Sequence, residues 1–191
     1  MSYSIESGYF LNENQLRLLS FDPGSRNMGV SLVCYNKKSK KIQVLANATL
    51  EFPIHDIKQI AFQKENFLNE VNKWITIFKP HGIIAERFQS RGLKGNTVEC
   101  VNIMLGLLLS LNLPTKFITA STWKNKFQKR FQVDLREIYK NIATTPHQLD
   151  SSLIGCFGIE ICAKKDLTNL NLIIEQVKNT SLVPLRRGFT K

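Results

Sequence analysis

The first fifty residues alternate between apolar runs and short polar turns. Apolar residues are concentrated at 16–21, 28–35 and 41–52, and the turns between them hold Pro23-Gly24-Ser25 and a run of Asn, Lys and Ser at 36–40. Short apolar runs bounded by Gly, Pro, Asn and Ser are typical of strands and turns. The pattern predicts three strands joined as an antiparallel meander, preceded by a polar lead-in at 1–15.

After residue 56 the spacing of the apolar residues changes from that of strands to that of a helix. Apolar residues recur every three or four positions from Ile57 to Phe78, and Asp56 precedes them as a candidate N-cap. Pro80 then ends the predicted helix. The apolar run at 82–86 is typical of a strand that is buried on both faces in a parallel sheet.

The rest of the chain continues to alternate between helices and one further strand. The predicted elements are a loop at 89–96, a buried helix to about 113, a strand at 114–119, a basic helix at 122–139, a helix at 147–163 and an amphipathic helix at 169–177. A meander followed by strands alternating with helices predicts an α/β fold on a mixed, five-stranded sheet. We expect one domain at 16–166, followed by the C-terminal helix and basic tail at 167–191.

Composition and charge narrow the class of protein. The chain has 191 residues, which fits one domain, and 43% of them are hydrophobic, which excludes a disordered basic tail. The net charge of +11 indicates a polyanionic partner, most often nucleic acid, although it could instead serve solubility alone. Lysines at 37–41 lie at a predicted hairpin tip, where a solvated surface is the simpler interpretation.

The cysteines, histidines and N-terminus exclude several other classes. The four cysteines form no CxxC pair and lie among apolar neighbours, so we expect buried, reduced thiols, and the three histidines are too scattered for a zinc site. The first fifteen residues contain no Lys or Arg, unlike a signal peptide. The longest apolar stretch, at 100–113, is shorter than the ~20 residues that span a bilayer. We therefore expect a cytoplasmic protein with no membrane partner.

Four side chains stand where a metal centre could form. Asp22 and Glu86 each end a predicted strand, and strand ends are where α/β sheets place their chemistry. His147 and Asp150 are three residues apart near the start of a helix, so they share one face. Such a set of oxygen and nitrogen ligands suits Mg²⁺ or Mn²⁺, and two ions ~3.5–4 Å apart would clamp a phosphodiester.

Each of these residues also has a purely structural interpretation. Asp22 could shape the turn that follows it, His147 could begin or cap a helix, and Asp150 could be a surface acid. Glu86 is harder to explain in this way, because a carboxylate in a buried strand costs several kcal/mol unless it is paired or bound to a metal.

Three segments resemble the motifs of RuvC-type Holliday junction resolvases, in the same order, between residues 16 and 163. Leu19-Ser20-Phe21-Asp22-Pro23-Gly24-Ser25-Arg26-Asn27-Met28-Gly29-Val30 resembles the first motif, a strand that ends in Asp-Pro-Gly and is followed by a Gly that opens the next strand. Ile83-Ile84-Ala85-Glu86-Arg87-Phe88 resembles the second, and Pro146-His147-Gln148-Leu149-Asp150-Ser151-Ser152-Leu153-Ile154-Gly155 resembles the third. The match indicates a divergent member, of phage or viral type.

The resemblance implies an RNase H-like nuclease domain and an endonuclease that resolves four-way DNA junctions. The family cuts by paired symmetric cleavage that leaves 5′-phosphate and 3′-hydroxyl ends, and it acts as a homodimer on branched DNA rather than on a small molecule. The implied catalytic and metal-binding set is Asp22, Glu86, His147 and Asp150, with two Mg²⁺ ions that Mn²⁺ can replace.

The resemblance and the positive charge together indicate which residues contact DNA. Phe88 lies in the loop where the family places an aromatic wedge, and Thr122-Trp123-Lys124 resembles the family's apolar-Lys pair after strand five. The apolar helix at 98–113 is the expected dimer face. The expected DNA-binding residues are Arg26, Arg87, Phe88, Arg91, Lys94, Lys124, Lys126, Lys129 and Arg130.

Other functions remain compatible with the sequence. A nuclease of the same fold could act on flaps, other branched DNA or RNA, and an inactive protein could bind junctions without cutting them. Actin-like and sugar-kinase folds also hold phosphate with an Asp-x-Gly hairpin, but they need roughly twice this length.

Overall fold

One sheet forms the centre of the molecule. A computed structural model describes residues 14–52, 54, 56–88, 95–140 and 145–182. The strands are β1 (Gln15–Asp22), β2 (Asn27–Asn36), β3 (Lys41–Glu51), β4 (Gly82–Arg87), β5 (Thr115–Thr119) and β6 (Ser181–Leu182).

Six helices cover the two faces of this sheet. They are α1 (Ile57–Phe78), α2 (Asn96–Leu108), α3 (Ala120–Phe131), α4 (Leu135–Lys140), α5 (Pro146–Ala163) and α6 (Leu170–Thr180). None of the helices in these ranges is both long and apolar enough to cross a membrane.

The strands lie in the order β5-β4-β1-β2-β3-β6. β1, β2 and β3 are antiparallel, whereas β4 runs parallel to both β1 and β5. This arrangement confirms the predicted mixed sheet. A sixth strand of two residues pairs parallel with β3, within the segment that the sequence predicts as part of a basic tail.

The two faces of the sheet have separate hydrophobic cores. Successive side chains of a strand point to opposite faces. In β1, Leu16 and Leu18 therefore pack with α3, α5 and α6, whereas Leu19 and Phe21 pack with α1 and α2. The same alternation places residues 20 and 22 on the face that α5 covers.

The ends of α1 follow the signals in its sequence. The Asp56 carboxylate accepts a hydrogen bond from the Gln59 N–H, and the Gln59 side chain accepts one from the Asp56 N–H, so the predicted N-cap is confirmed. Lys79 then adopts a left-handed conformation with φ 47°, directly before Pro80. The helix ends where Pro cannot continue it.

The basic helix predicted at 122–139 is two helices, because the chain turns between them. Gln132 is left-handed, with φ 53°, and ends α3. Asp134 then begins α4, since its carboxylate accepts a hydrogen bond of 2.8 Å from the N–H of Arg136. The break changes the direction of the chain before Tyr139, and the Tyr139 side chain then reaches Asp150.

The helix predicted to reach about residue 113 ends earlier, at Leu108. The Ser110 hydroxyl donates a hydrogen bond of 2.7 Å to the Leu107 carbonyl, and Asn112 is left-handed with φ 50°. Serine and asparagine side chains offer the backbone such alternatives to helical bonds.

α5 lies very close to β1 and β2. A Cβ added at Gly29 would lie 2.0 Å from the carbonyl oxygen of His147, and one added at Gly155 would lie 2.4 Å from a methyl group of Val33. A larger residue at either position would push the helix away. These glycines therefore set the depth at which α5 packs.

Serine hydroxyls fix the position of α5 along the sheet. The hydroxyl of Ser31 on β2 forms hydrogen bonds with the hydroxyls of Ser151 and Ser152 on α5, at 2.7 and 2.8 Å. All three side chains are buried. Because a buried hydroxyl without a partner is costly, a slip of the helix along the strand would be unfavourable.

The four cysteines are all buried and free, as the sequence predicts. Cys156 lies on α5 and Cys34 on β2, and burial raises the pKa of both thiols.

Candidate functional site

β1 and β4 place Asp22 and Glu86 side by side. The strands are parallel neighbours, and the last pair in their register is Phe21 with Ala85, directly before the two acids. Each acid lies two residues beyond a residue of the face that α5 covers, so both carboxylates belong to that face. The carboxyl ends of the central strands thus bring two acids to one edge.

α5 supplies the other half of the site from its first two turns. Thr145 and Gln148 form a capping box, and the Thr145 hydroxyl also forms a 2.6 Å hydrogen bond with that of Thr49 on β3. The helix start is thereby tied to the sheet. His147 then reaches Asp22, with its Nδ1 2.6 Å from the Asp22 Oδ2.

Asp150 receives a hydrogen-bond donor on each of its two oxygens. The Lys124 ammonium lies 2.8 Å from Oδ2, and the Tyr139 hydroxyl donates to Oδ1. Burial raises the pKa of the Tyr139 hydroxyl, so it remains a donor. Tyr139 was missed in the sequence because 122–139 was interpreted as one continuous helix, which hid the turn that aims it at the site.

Trp123 binds the carboxylate of Glu86, the remaining residue of the four predicted ligands. Its indole N–H donates a 2.8 Å hydrogen bond to Oε2 of Glu86, and its ring is fully buried with its edge toward Phe127. A buried indole N–H usually finds such a partner. The Thr122-Trp123-Lys124 segment therefore supplies neighbours to two of the acids, Glu86 and Asp150.

The site holds more negative charge than its neighbours neutralise. Burial raises the pKa of Glu86 to about 7, and the charges of Asp22 and Asp150 act in the same direction. Burial, together with the Asp22 charge, also raises the pKa of Asp150. Although burial lowers the pKa of Lys124, the Asp150 charge raises it overall. An added cation would stabilise this cluster.

The chemistry of the side chains fits a hard divalent cation, although they do not form a ready-made cage. Within the described ranges, no three His, Cys, Asp or Glu side chains are arranged as a metal-ligand set. Each carboxylate oxygen has two lone pairs, so the donors on Asp150 leave capacity for a metal. Three carboxylates and an imidazole are a donor set suited to Mg²⁺ or Mn²⁺.

Among the predicted DNA-binding residues, two arginines lie at the edge of the sheet that carries the acids. Arg26 is exposed in the turn after β1, and Arg87 is the exposed last residue of β4. Lys129 is exposed on α3. Arg91 and Lys94 lie outside the described residues. Arg26 and Arg87 are therefore placed beside the carboxylates.

Lys126 and Arg130 have partners inside the protein that the sequence did not predict. The buried Glu160 carboxylate lies 2.7 Å from the Lys126 ammonium and also pairs with Arg130, which contacts Asp166 at 3.0 Å. Breaking a buried pair leaves a charge without compensation, which is strongly destabilising. These two cations thus tie α3 to α5, and a contact with DNA remains only a prediction for them.

Phe88 follows β4 directly and is half-buried. Its ring packs against the core between the sheet, α1 and α2. Its predicted function as a wedge in a junction stays a prediction.

Solved structures with a similar fold include a complex of RuvC with a junction and a Holliday junction resolvase. RuvC from T. thermophilus in complex with a Holliday junction substrate has a TM-score of 0.57 and 13% sequence identity, over 79% of this chain and 99% of that chain. The yeast mitochondrial Holliday junction resolvase Ydc2 has a TM-score of 0.58 and 14% identity, over 86% of this chain and 84% of that chain. No protein-family model matches the sequence, and no curated protein matches it significantly.

These similarities define the class of fold. The chain has the RNase H-like α/β fold, with three antiparallel strands followed by parallel strands that alternate with helices. The two structures named above are RuvC and a Holliday junction resolvase, the class of protein whose motifs the sequence resembles.

Proposed function

We propose that the protein is a metal-dependent endonuclease that resolves four-way DNA junctions by paired symmetric cleavage. The observation that carries the proposal is the convergence of Asp22, Glu86, His147 and Asp150 at one sheet edge, in a fold that resembles RuvC. The grouping of these side chains supports the proposal more strongly than the fold alone does, because one fold can host many functions.

The four side chains would bind two Mg²⁺ ions, or Mn²⁺ in their place. When bound, the ions would supply a Lewis acid for the attacking water and for the charge that develops on the phosphate. Asp22 holds the His147 ring in one orientation through Nδ1, which leaves Nε2 as the ring nitrogen for an ion. Trp123 and Tyr139 orient the carboxylates of Glu86 and Asp150.

The reaction forms one bond to phosphorus and breaks another. The water oxygen bonds to the phosphorus, the bond between phosphorus and the 3′ oxygen breaks, and that oxygen takes up a proton. The products carry a 5′-phosphate and a 3′-hydroxyl. Arg26 and Arg87 would bind neighbouring phosphates, and the Lys124 ammonium beside Asp150 would add a further positive charge for the DNA backbone.

A homodimer would place two such sites on one junction. α2 carries exposed apolar side chains, with Leu109 at its C-cap 61% exposed and Ile103 38% exposed. The opposite side of α2 packs against α1 in the hydrophobic core, which holds the exposed apolar face of α2 in place.

The test is incubation of the purified protein with end-labelled DNA in Mg²⁺. The substrates are a four-way junction, a flap, a linear duplex and an RNA–DNA hybrid of matched sequence. We expect paired nicks at symmetric positions on the junction, and no cleavage in EDTA. Ligation of the products by DNA ligase would verify the 5′-phosphate and 3′-hydroxyl ends.

Each alternative function gives a different result in this assay. Cleavage of the flap or hybrid in preference to the junction would assign another substrate to the same site. Tight junction binding without nicks in either Mg²⁺ or Mn²⁺ would identify a binding protein and would overturn the proposed cleavage.

A further inference from the structure

The end of the sheet opposite the candidate site collects lysines from four separate segments. They come from the hairpin between β2 and β3, the C-cap of α1, the start of β5 and the residues after α5. All four segments lie at that end, because Gln15 of β1 pairs with Asn36 beside the hairpin, and β4 and β5 begin there. We call this surface the distal lysine surface; it consists of Lys38, Lys40, Lys41, Lys79, Lys116, Lys164 and Lys165.

These seven ammonium groups are available for a partner. All seven side chains are exposed, and none forms an ion pair with another described residue. Asp166 directly follows Lys164 and Lys165, but Arg130 and Lys126 of α3 already contact its carboxylate. The positive charge of this end is therefore not compensated from within the described part of the protein.

The distal lysine surface is separate from the candidate site. β1 runs from Gln15 at this end to Asp22 at the site, a distance of about 23 Å at the usual rise per residue of a strand. Charges so far apart on the surface are largely screened from each other at physiological ionic strength. The lysines therefore do not serve the carboxylates, and the proposed cleavage does not explain them.

We infer that the distal lysine surface is a second binding surface for the phosphate backbone of duplex DNA. The inference rests on the proposed function insofar as it takes DNA as the polyanion. Lysine ammonium groups bind phosphates as point charges and provide affinity without sequence preference. A surface about 23 Å from the cleavage site would hold a DNA segment other than the one being cut.

Duplex DNA fits this surface better than an anionic membrane does. Helices that bind membrane surfaces expose an apolar face beside their basic residues. α6 begins at this end and buries Leu170, Ile173 and Val177 against the sheet, while its Leu172 is 39% exposed. The lysines come from turns and helix ends rather than from one amphipathic helix, so they form a charged rim beside isolated apolar side chains and not beside a continuous apolar face.

The experiment compares two triple variants that lose the same charge. The distal variant carries Lys38→Gln, Lys41→Gln and Lys165→Gln. The control variant carries Lys58→Gln, Lys64→Gln and Lys178→Gln, which are exposed lysines on α1 and α6 away from that end. Binding to a linear duplex is measured by fluorescence anisotropy over a range of salt concentrations, and thermal unfolding verifies that both variants fold.

We expect the salt dependence of duplex binding to fall in the distal variant only. Each lost phosphate contact should reduce the slope of log affinity against log salt by about 0.9. Equal slopes for the two variants, or an unchanged slope in the distal variant, would overturn the inference. Loss of binding to phosphatidylserine vesicles with unchanged binding to duplex would overturn it in favour of a membrane partner.

The outcome is independent of cleavage. If wild-type protein binds duplex through the distal lysine surface but nicks no junction, the proposed function fails and the inference stands. If junctions are cut normally and the distal variant binds duplex like wild type, the inference fails and the proposed function stands.

Discussion

Asp22 and His147 are 125 residues apart in the chain, yet a hydrogen bond of 2.6 Å joins the Asp22 Oδ2 to the His147 Nδ1. The contact joins the end of β1 to the start of α5, and it lies beside the two other carboxylates. The expected effect of each substitution at the site follows from the atoms that the replaced side chain contacts.

Asp22→Asn is expected to abolish junction cleavage while junction binding is kept or strengthened. The change removes a negative ligand and also reduces repulsion of phosphates. Changes in the residues around metal ligands already lower metal affinity or activity by about 10–100-fold, so loss of a ligand should lower the cleavage rate by more than about a hundredfold. Nicking and gel-shift assays measure the two effects.

The matched control for this change is Glu51→Gln, which removes one charge from an exposed acid at the end of β3. It should cleave like wild type. Cleavage by Asp22→Asn at more than a few per cent of the wild-type rate would show that Asp22 only shapes the turn that follows it at Pro23.

Tyr139→Phe should raise the Mg²⁺ concentration needed for half-maximal cleavage by about tenfold, because the hydroxyl orients the Asp150 carboxylate. The effect should also appear in Mn²⁺ binding measured by calorimetry. Tyr35→Phe is the control, since Tyr35 is buried in the same core but on β2 away from the acids. Equal metal dependence in the two variants would assign Tyr139 to packing alone.

His147→Asp should shift the acid limit of cleavage to lower pH. An imidazole binds a metal only without its second proton, and the hydrogen bond to Asp22 raises the pKa of His147 above its ordinary value. A proton therefore competes with the metal at higher pH than it does at a carboxylate, which titrates near ~3.9. Cleavage rates across mild acid to mild base measure this shift.

The variant must first be shown to cut at neutral pH. An active His147→Asp protein whose acid limit lies at the same pH as wild type, or higher, would contradict a metal-ligand function for His147. In that case the protonated His147 ring would act on the phosphate or on a water molecule.

At the scale of elements, the site depends on how closely α5 lies against β1 and β2. The helix contributes two of the four side chains, so any lift of α5 moves His147 and Asp150 away from the strand ends. Small residues on the helix and sheet allow the close approach, and the Ser31 hydrogen bonds fix the position along the strands.

Gly155→Ala is expected to destabilise the protein by about 1–3 kcal/mol, the usual cost of overpacking, and to lower cleavage. The new methyl group would lie 2.4 Å from Val33 and 2.6 Å from the hydroxyl of Ser20. Urea unfolding measures the change. Gly106→Ala in α2 is the control, because its added methyl group would meet no described atom within 4 Å apart from its chain neighbours and the nearby backbone of its own helix.

The control should stabilise the protein by about 0.5–1 kcal/mol, since alanine favours a helix over glycine. If Gly155→Ala were equally stabilising, the close packing of α5 would not be a requirement of the fold.

At the scale of the whole molecule, the two sheet ends carry opposite charge patterns. The site end gathers the carboxylates of Asp22, Glu86 and Asp150, and the other end gathers the seven exposed lysines of the distal lysine surface. The helices α1 and α2 cover the face of the sheet away from the site, and the proposed homodimer would form on the outer side of α2.

Leu109→Asp is expected to convert a dimer to a monomer and to replace paired nicks by single ones. The side chain is 61% exposed at the C-cap of α2, where an acid would be costly to bury against a partner. Light scattering measures the mass, and a supercoiled cruciform separates paired from single cuts.

Leu172→Asp on α6 is the control, since it puts the same charge on an exposed leucine of the other face. It should stay dimeric. A wild-type protein that is monomeric at assay concentrations and still makes paired nicks would contradict the proposed α2 interface.

The sequence by itself determined the type and order of the main elements. Strand alternation at 16–52, the cap at Asp56 and the apolar run at 82–86 are local signals, because the spacing of apolar residues follows the geometry of one element. The acids at the ends of β1 and β4 could be found in the same way, since strand ends are visible as the places where an apolar run stops.

Only the tertiary structure decided which side chains meet. Tyr139 reaches Asp150 because the chain turns at Gln132, and Lys126 and Arg130 pair with Glu160 because α3 packs beside α5. The distal lysines come from four segments that only the pairing of strands brings to one end. Contacts between distant residues depend on where the chain turns between elements and on how deeply a helix packs, and the spacing of apolar residues within one element specifies neither.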